Sequence, residues 1–108
     1  MKGAVYNNGI LAGYLEKTGN GYLFTYTDHY YRNKDNPPIS LTLPKTQQQY
    51  ESENLFAFFQ GLLSEGVNKD IQCRLLKIDE KDDFTRLLQT AGADTIGAIT
   101  VKPVDDDL

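Results

Sequence analysis

Tryptophan is absent, and cysteine, histidine and methionine occur once each. The lone Cys73 closes no internal disulfide, which agrees with a reducing compartment. The lone His29 has no second His and no Cys cluster to share a metal with, so no metal site is expected. No run approaches the roughly 18 apolar residues of a membrane-spanning helix. The opening Met1-Lys2-Gly3-Ala4-Val5-Tyr6 lacks the apolar core of a signal peptide and reads as a strand. A cytoplasmic protein is the expectation. Positive charge is also in short supply. The formal net charge is −4, which disfavours direct binding to nucleic acid through phosphate neutralisation. The acid concentrates at Asp79-Glu80-Lys81-Asp82-Asp83 and Asp105-Asp106-Asp107, read as a solvated helix start and a frayed end, or as attraction to a basic partner.

Catalytic signatures are missing as well. Gly92-x-x-x-x-Gly97 has the glycine spacing of a phosphate loop without the Lys and Ser/Thr that must follow. Asp83-Phe84-Thr85 is not the Asp-Phe-Gly of a kinase, and neither a His-Arg-Asp pattern nor a nucleophile elbow occurs. A chain of 108 residues is also short to supply both a core and a substrate pocket of a few hundred Å³. No catalytic residue and no cofactor is assigned, and a non-enzyme is expected.

What is present is enough apolar sequence for one domain spanning 1–108. Its densest run is Asn54 to Gly66. Leu55, Phe58, Phe59, Leu62 and Leu63 form one broad helical stripe, with Ser52 as N-cap, Glu53 in the first turn and Gly66 as the stop. Full burial of each large side chain there contributes roughly 1.5–3 kcal/mol, which makes this helix the expected core element.

Before it, Ala4–Tyr6, Ile10–Lys17 and Tyr22–Thr27 read as a three-stranded meander. Asn8-Gly9 supplies the positive φ angles of a type I′ turn, and Thr18-Gly19-Asn20-Gly21 a second turn. Tyr22, Phe24 and Tyr26 share the core face. Residues 28–38 read as a polar loop. Ile39–Leu43 alternates like a strand, with Ile39, Leu41 and Leu43 inward and Pro38 and Pro44 setting its ends. Lys45–Glu51 reads as a polar linker.

After Gly66, the residues Val67, Ile71, Leu75 and Ile78 are spaced like a helix face, with Leu76 adjacent and Cys73 as a packing residue. A third helix has Asp82 or Asp83 as its cap, Phe84, Leu87, Leu88 and Ala91 as its stripe, and Gly92 as its stop. A final strand near 98–102 ends at Pro103. The result is an α+β domain: a small, antiparallel-rich sheet, made of the meander plus strands near 39–43 and 98–102, packed with about three helices.

Four stretches also carry a resemblance. Phe58-Phe59-Gln60-Gly61-Leu62-Leu63-Ser64-Glu65-Gly66 is similar to the FF-x-x-LLP-E-G segment of the N-terminal subdomain of HipA-type serine/threonine kinases. The hairpin Val5–Leu15, the segment Pro38–Pro44 and the segment Gly92–Val101 resemble that subdomain in the same order. Together they cover nearly the whole chain. Ser64 stands where the family usually has Pro, and Ala93 where it often has Arg.

The resemblance implies more than the residues do. In HipA-type proteins the subdomain opens a longer kinase chain, whereas this chain is expected to stand alone. It then resembles HipS, the component of three-gene toxin–antitoxin systems that binds and neutralises the kinase HipT in trans, beside a helix-turn-helix DNA-binding protein, HipB. The implied role is an antitoxin that inhibits a HipA-like kinase. The implied contact is the turn Ser64-Glu65-Gly66-Val67, which in the relatives faces the active-site side of the kinase. Glu65 is then the polar contact and Val67 the wedge. On the bland reading Gly66 merely ends one helix and Val67 begins the next. Tyr30 and Tyr31 are further candidate anchors, since hot spots favour aromatics. Two alternatives stay open. One is a subunit that completes a HipA-like kinase without inhibiting it. The other is a small ligand-binding or enzymatic domain using the aromatic sheet around Tyr22, Tyr26 and His29.

Overall fold

The structure, a computed structural model, describes residues 2–63, 74, 75, 77, 82–90 and 98–104. The expected contact turn 64–67, Cys73 and the glycines 92 and 97 lie outside the described residues. Five antiparallel strands form one sheet: β1 (Lys2–Asn7), β2 (Ile10–Thr18), β3 (Gly21–Tyr26), β4 (Gln49–Ser52) and β5 (Ile99–Val104), in the order β4-β3-β2-β1-β5. The helices α1 (Asp28–Arg32), α2 (Ala57–Gln60) and α3 (Asp83–Thr90) accompany it, and Arg74 and Leu75 are helical as well. The α+β architecture expected from the sequence is the one observed. No helix among the described residues is long and apolar enough to cross a membrane.

The meander forms as its turn chemistry requires. Asn8 and Gly9 take φ of 52° and 82°, the left-handed pair of a type I′ hairpin. The register places Gly3, Val5, Gly13, Leu15, Phe24, Tyr26 and Val101 on one sheet face. There Val5, Leu15, Phe24, Tyr26 and Val101 join Phe59, Leu63, Phe84, Leu87 and Leu88 in a single buried core. The opposite face carries Lys2, Tyr6, Tyr14, Glu16 and Lys102. Its charges lie on its rings, with Lys2 Nζ 4.5 Å from the Tyr14 ring and Lys102 Nζ 5.6 Å from that of Tyr6. The Phe24 ring meets Tyr26 edge-on at 4.9 Å and Phe59 at 5.8 Å, so the centre of the core is aromatic.

Five local expectations are corrected. First, the 28–38 loop begins with α1, because the Thr27 hydroxyl accepts from the Tyr30 amide and caps a helical turn. Second, 39–43 is not a strand, and Leu41 does not point inward. The Leu43 amide donates to the Ser40 carbonyl at 3.1 Å, closing a turn with Leu41 and Thr42 at its tip. Third, the fourth strand lies within the supposed linker. Tyr50 sits directly across from Phe24 and Ser52 across from Tyr22, and such cross-strand aromatic pairs stabilise a sheet. Strand pairing removes Ser52 from any capping role, and α2 begins only after Phe56. Fourth, β5 runs on through Pro103. The Asn8 amide donates to the Ala98 carbonyl, so residues of the same parity as Ala98 face β1 and Pro103 presents its donorless nitrogen at the open edge. Fifth, Leu75 is exposed. Arg74 and Leu75 are helical and Lys77 takes φ of 55°; Val67, Ile71, Leu76 and Ile78, the rest of the expected face, lie outside the described residues.

The third helix matches its expected cap. Asp82 Oδ1 accepts from the Thr85 amide at 3.1 Å and Oδ2 from the Thr85 hydroxyl at 2.7 Å. Burial pushes the Asp82 carboxyl up, but the two Thr85 hydrogen bonds and the charge of Lys17 outweigh it, and its pKa lies below the usual value.

Gly21 connects the meander to β4. Its φ is +151°, and a Cβ there would collide with the Ser52 carbonyl oxygen and Glu53 Cα. Gly21→Ala is therefore expected to lower stability by about 1–3 kcal/mol, read as a lower urea midpoint. The same substitution at Gly19, where a Cβ meets nothing within 4 Å, serves as the mild control.

Candidate docking surface

Between α1 and β4 the chain runs for sixteen residues without a strand or helix. Three tyrosines from the surrounding elements and one lysine of its own hold it. The Tyr26 hydroxyl, at the end of β3, donates to the Leu43 carbonyl and accepts from the Ile39 amide at 3.1 Å. The Tyr30 hydroxyl, on α1, donates to the Pro37 carbonyl at 2.6 Å and accepts from the Asn7 carboxamide at 2.8 Å. The Tyr50 hydroxyl, on β4, donates to the Pro44 carbonyl. Lys45 closes the loop on itself, donating to the carbonyls of Asn33 at 2.6 Å and Asn36 at 2.7 Å. Its ammonium lies 5.3 Å from the Tyr30 ring centroid.

Each clamp is worth roughly 0.5–1.5 kcal/mol net, but leaving a buried partner unsatisfied costs about 1–3 kcal/mol. The loop backbone therefore depends on these tyrosines. Tyr26 stacks on Tyr30 at 5.8 Å with the rings parallel to within 1°, and on Tyr31 at 6.4 Å. Burial pushes the Tyr26 phenol up to about 12. The Ile39 amide acts against this, and Tyr30 and Tyr50 add to it. The neutral phenol is thus the form that the fold holds, as a hydroxyl that must donate requires.

Of the candidate contact residues, Ser64, Glu65, Gly66 and Val67 lie outside the described residues; Leu63, just before them, is buried. Tyr30 is only 1% exposed and serves its own core. Tyr31 beside it is half-buried and packs on the core's rim. The structure therefore brings Tyr30 and Tyr31 to the foot of the clamped loop. Tyr22, Tyr26 and His29 are not gathered. Tyr22 lies near the start of β3 and His29 is exposed on α1 beyond its end, while the Tyr26 hydroxyl is already engaged.

Tyr22 instead lines two adjoining cavities. One is of about 550 Å³, with Thr18, Leu23, Glu51 and Glu53. The other is of about 500 Å³, with Lys17, Gln60, Asp82 and Asp83. Their walls mix carboxylates with Tyr22, Leu23, Leu55, Lys17 and polar amides, and are not the predominantly apolar lining of a typical ligand pocket. Leu41, expected to point inward, is instead exposed at the tip of the turn. The signal that marks it is turn chemistry: prolines on both sides, and hydroxyls at Ser40 and Thr42.

The comparisons with known proteins decide the family. The HipA N-terminal domain family matches residues 3–102. This chain belongs to the HipA N-terminal domain family. A solved structure described as the N-terminal domain of HipA toxin superposes with a TM-score of 0.75 at 30% identity, covering 98% of this chain and 94% of that one. An uncharacterized protein of Haemophilus influenzae is 32% identical over 100 residues, which are 93% of this chain and 90% of that protein. The Sinorhizobium fredii protein named "Putative kinase Y4mE" is 27% identical over 104 residues. The match spans 95% of this chain but only 24% of that protein. A HipA N-terminal domain thus accounts for a quarter of one relative and nearly all of another.

The buried phenol gives two expected outcomes. Tyr26→Phe leaves the Ile39 amide and the Leu43 carbonyl without their partner and is expected to cost about 1–3 kcal/mol in urea unfolding. The pH dependence has a definite sign. The folded pKa is raised from 10.0 to about 12, so the phenol's contribution is fully present below pH 10. It is lost as pH rises from 10 through about 12. Urea midpoints across that window are expected to fall more steeply for the wild type than for Tyr26→Phe.

Proposed function

We propose that this HipA N-terminal domain is a non-catalytic protein-binding module. It grips a HipA-like or HipT serine/threonine kinase in trans and holds it inactive. The observation that carries the reading is the likeness to the N-terminal domain of HipA toxin along 98% of the chain. The two relatives support it from either side. In Y4mE the matching domain is a minor part of a longer chain; in the Haemophilus protein it makes up most of the polypeptide. A domain that folds against a kinase when covalently joined keeps a docking surface when separate. An interface of that kind needs roughly 800 Å² on each partner.

The turn 64–67 follows the buried Leu63 and enters the catalytic cleft, with Glu65 as polar contact and Val67 as wedge. Tyr31 contributes contact area, and Tyr30 positions it from beneath. The module works in the cytoplasm without metal or cofactor. Any association with operator DNA runs through a HipB-like helix-turn-helix partner, since a net charge of −4 gives little to phosphates.

Co-expression with a HipA-like kinase of the same organism tests the reading. The wild-type module is expected to rescue growth and to co-purify with the kinase. Glu65→Arg and Val67→Asp are expected to lose both. Unchanged rescue by both variants removes the turn from the mechanism. Phosphorylation that rises when the purified module is added overturns inhibition in favour of a subunit that completes the kinase.

A further inference from the structure

Among the described residues the Lys45 ammonium meets no carboxylate. Two backbone carbonyls and a ring face it instead. Its Nζ lies 2.6 Å from the Asn33 oxygen, 2.7 Å from that of Asn36 and 5.3 Å from the centroid of the Tyr30 ring. Those groups are held in place by bonds of their own. The Asn36 amide donates to the Asn33 carbonyl at 3.1 Å, and the Asp35 amide to Asn33 Oδ1 at 3.0 Å, which closes the turn 33–36. Tyr30 is buried, and its hydroxyl donates to the Pro37 carbonyl. Pro37 and Pro38 follow the turn and bring no amide hydrogen, so carbonyls of this segment take their donors from side chains. Hydrogen bonds from an ionised donor are roughly twice as strong as neutral ones, and a cation within about 6 Å of a tyrosine face is attracted by the ring.

We propose that the turn 33–36 and the Tyr30 ring form a cage for a primary ammonium group, that Lys45 is its tethered occupant, and that the charge of Lys45 latches the two ends of the loop together. The chemistry selects this class of cation. An ammonium is compact and carries three donors; the carbonyls take two of them and the ring takes the charge. A neutral side chain of the same length satisfies neither carbonyl. A quaternary ammonium keeps the charge for the ring but has no hydrogen for the carbonyls. The latch joins the segment that follows α1 to the segment that precedes β4. The tyrosine hydroxyls do not make this connection: they tie Pro37, Ile39, Leu43 and Pro44 to the body of the domain. Neutralising Lys45 therefore opens the loop's own closure and leaves the sheet as it is. The latch stands whether or not the domain grips a kinase.

The test compares the wild-type chain with Lys45→Met and Lys45→Ala. Lys45→Met keeps most of the stem over Tyr30 and loses only the charge; Lys45→Ala empties the cage. Both variants are expected to melt about 4–8 °C below wild type, and the Asn36 amide is expected to exchange roughly tenfold faster in both. Methylammonium chloride is the probe for the emptied cage, with tetramethylammonium chloride at the same concentration as its control. At a methylammonium concentration equal to its dissociation constant, the gap in Tm between the two salts is expected to be larger by about 2–3 °C in Lys45→Ala than in wild type, whose cage is filled. Lys45→Met melting together with wild type overturns the latch, since the uncharged stem then suffices. A gap between the salts that is the same in Lys45→Ala as in wild type, at every concentration, overturns the cage.

Discussion

One hydroxyl ties the two halves of this molecule together. Tyr26 ends β3, between β2 and the edge strand β4, and its ring packs in an aromatic core with Phe24, Tyr30 and Tyr31. Its phenol oxygen reaches out of that core and satisfies both an amide and a carbonyl of the facing loop. Buried backbone groups have to be paired, and a segment without strand partners has few ways to do it. The sheet therefore dictates the path of a loop to which it contributes no ladder. Tyr30 and Tyr50 repeat the device on either side.

This arrangement bears on what the domain does. A surface loop pays for docking in lost freedom, and that cost falls with each clamp already made. Tyr30, a candidate contact residue in the sequence, holds loop backbone here. What the tyrosines hold out is an aliphatic side chain at a turn tip.

Much of the fold was legible in the residues. Asn8-Gly9, the alternation of Tyr22, Phe24 and Tyr26, and the Asp82 cap each state a local rule that nothing nonlocal overrides. The segment 39–43 broke the same reasoning. Its alternation is that of a strand, yet the period-2 pattern also fits a turn whose two flanks dip inward. The deciding partner, Tyr26, lies thirteen residues upstream of Ile39, where no local window finds it. β4 was hidden for the converse reason. Its residues are polar, and only pairing with β3 makes Gln49–Ser52 a strand. Of the candidate contact residues, Tyr30 could be named but not placed, because an aromatic in a polar loop reads the same whether it faces out or in. Leu41 was counted among the core for want of that same long-range bond.

Residue-resolved hydrogen exchange on the free domain tests the central claim most directly. If one buried phenol fixes the loop before any partner arrives, the Ile39 and Leu43 amides exchange as slowly as the paired amides of Gly21–Tyr26. Exchange of both at the rate of an unstructured chain, beside a protected strand, would contradict it.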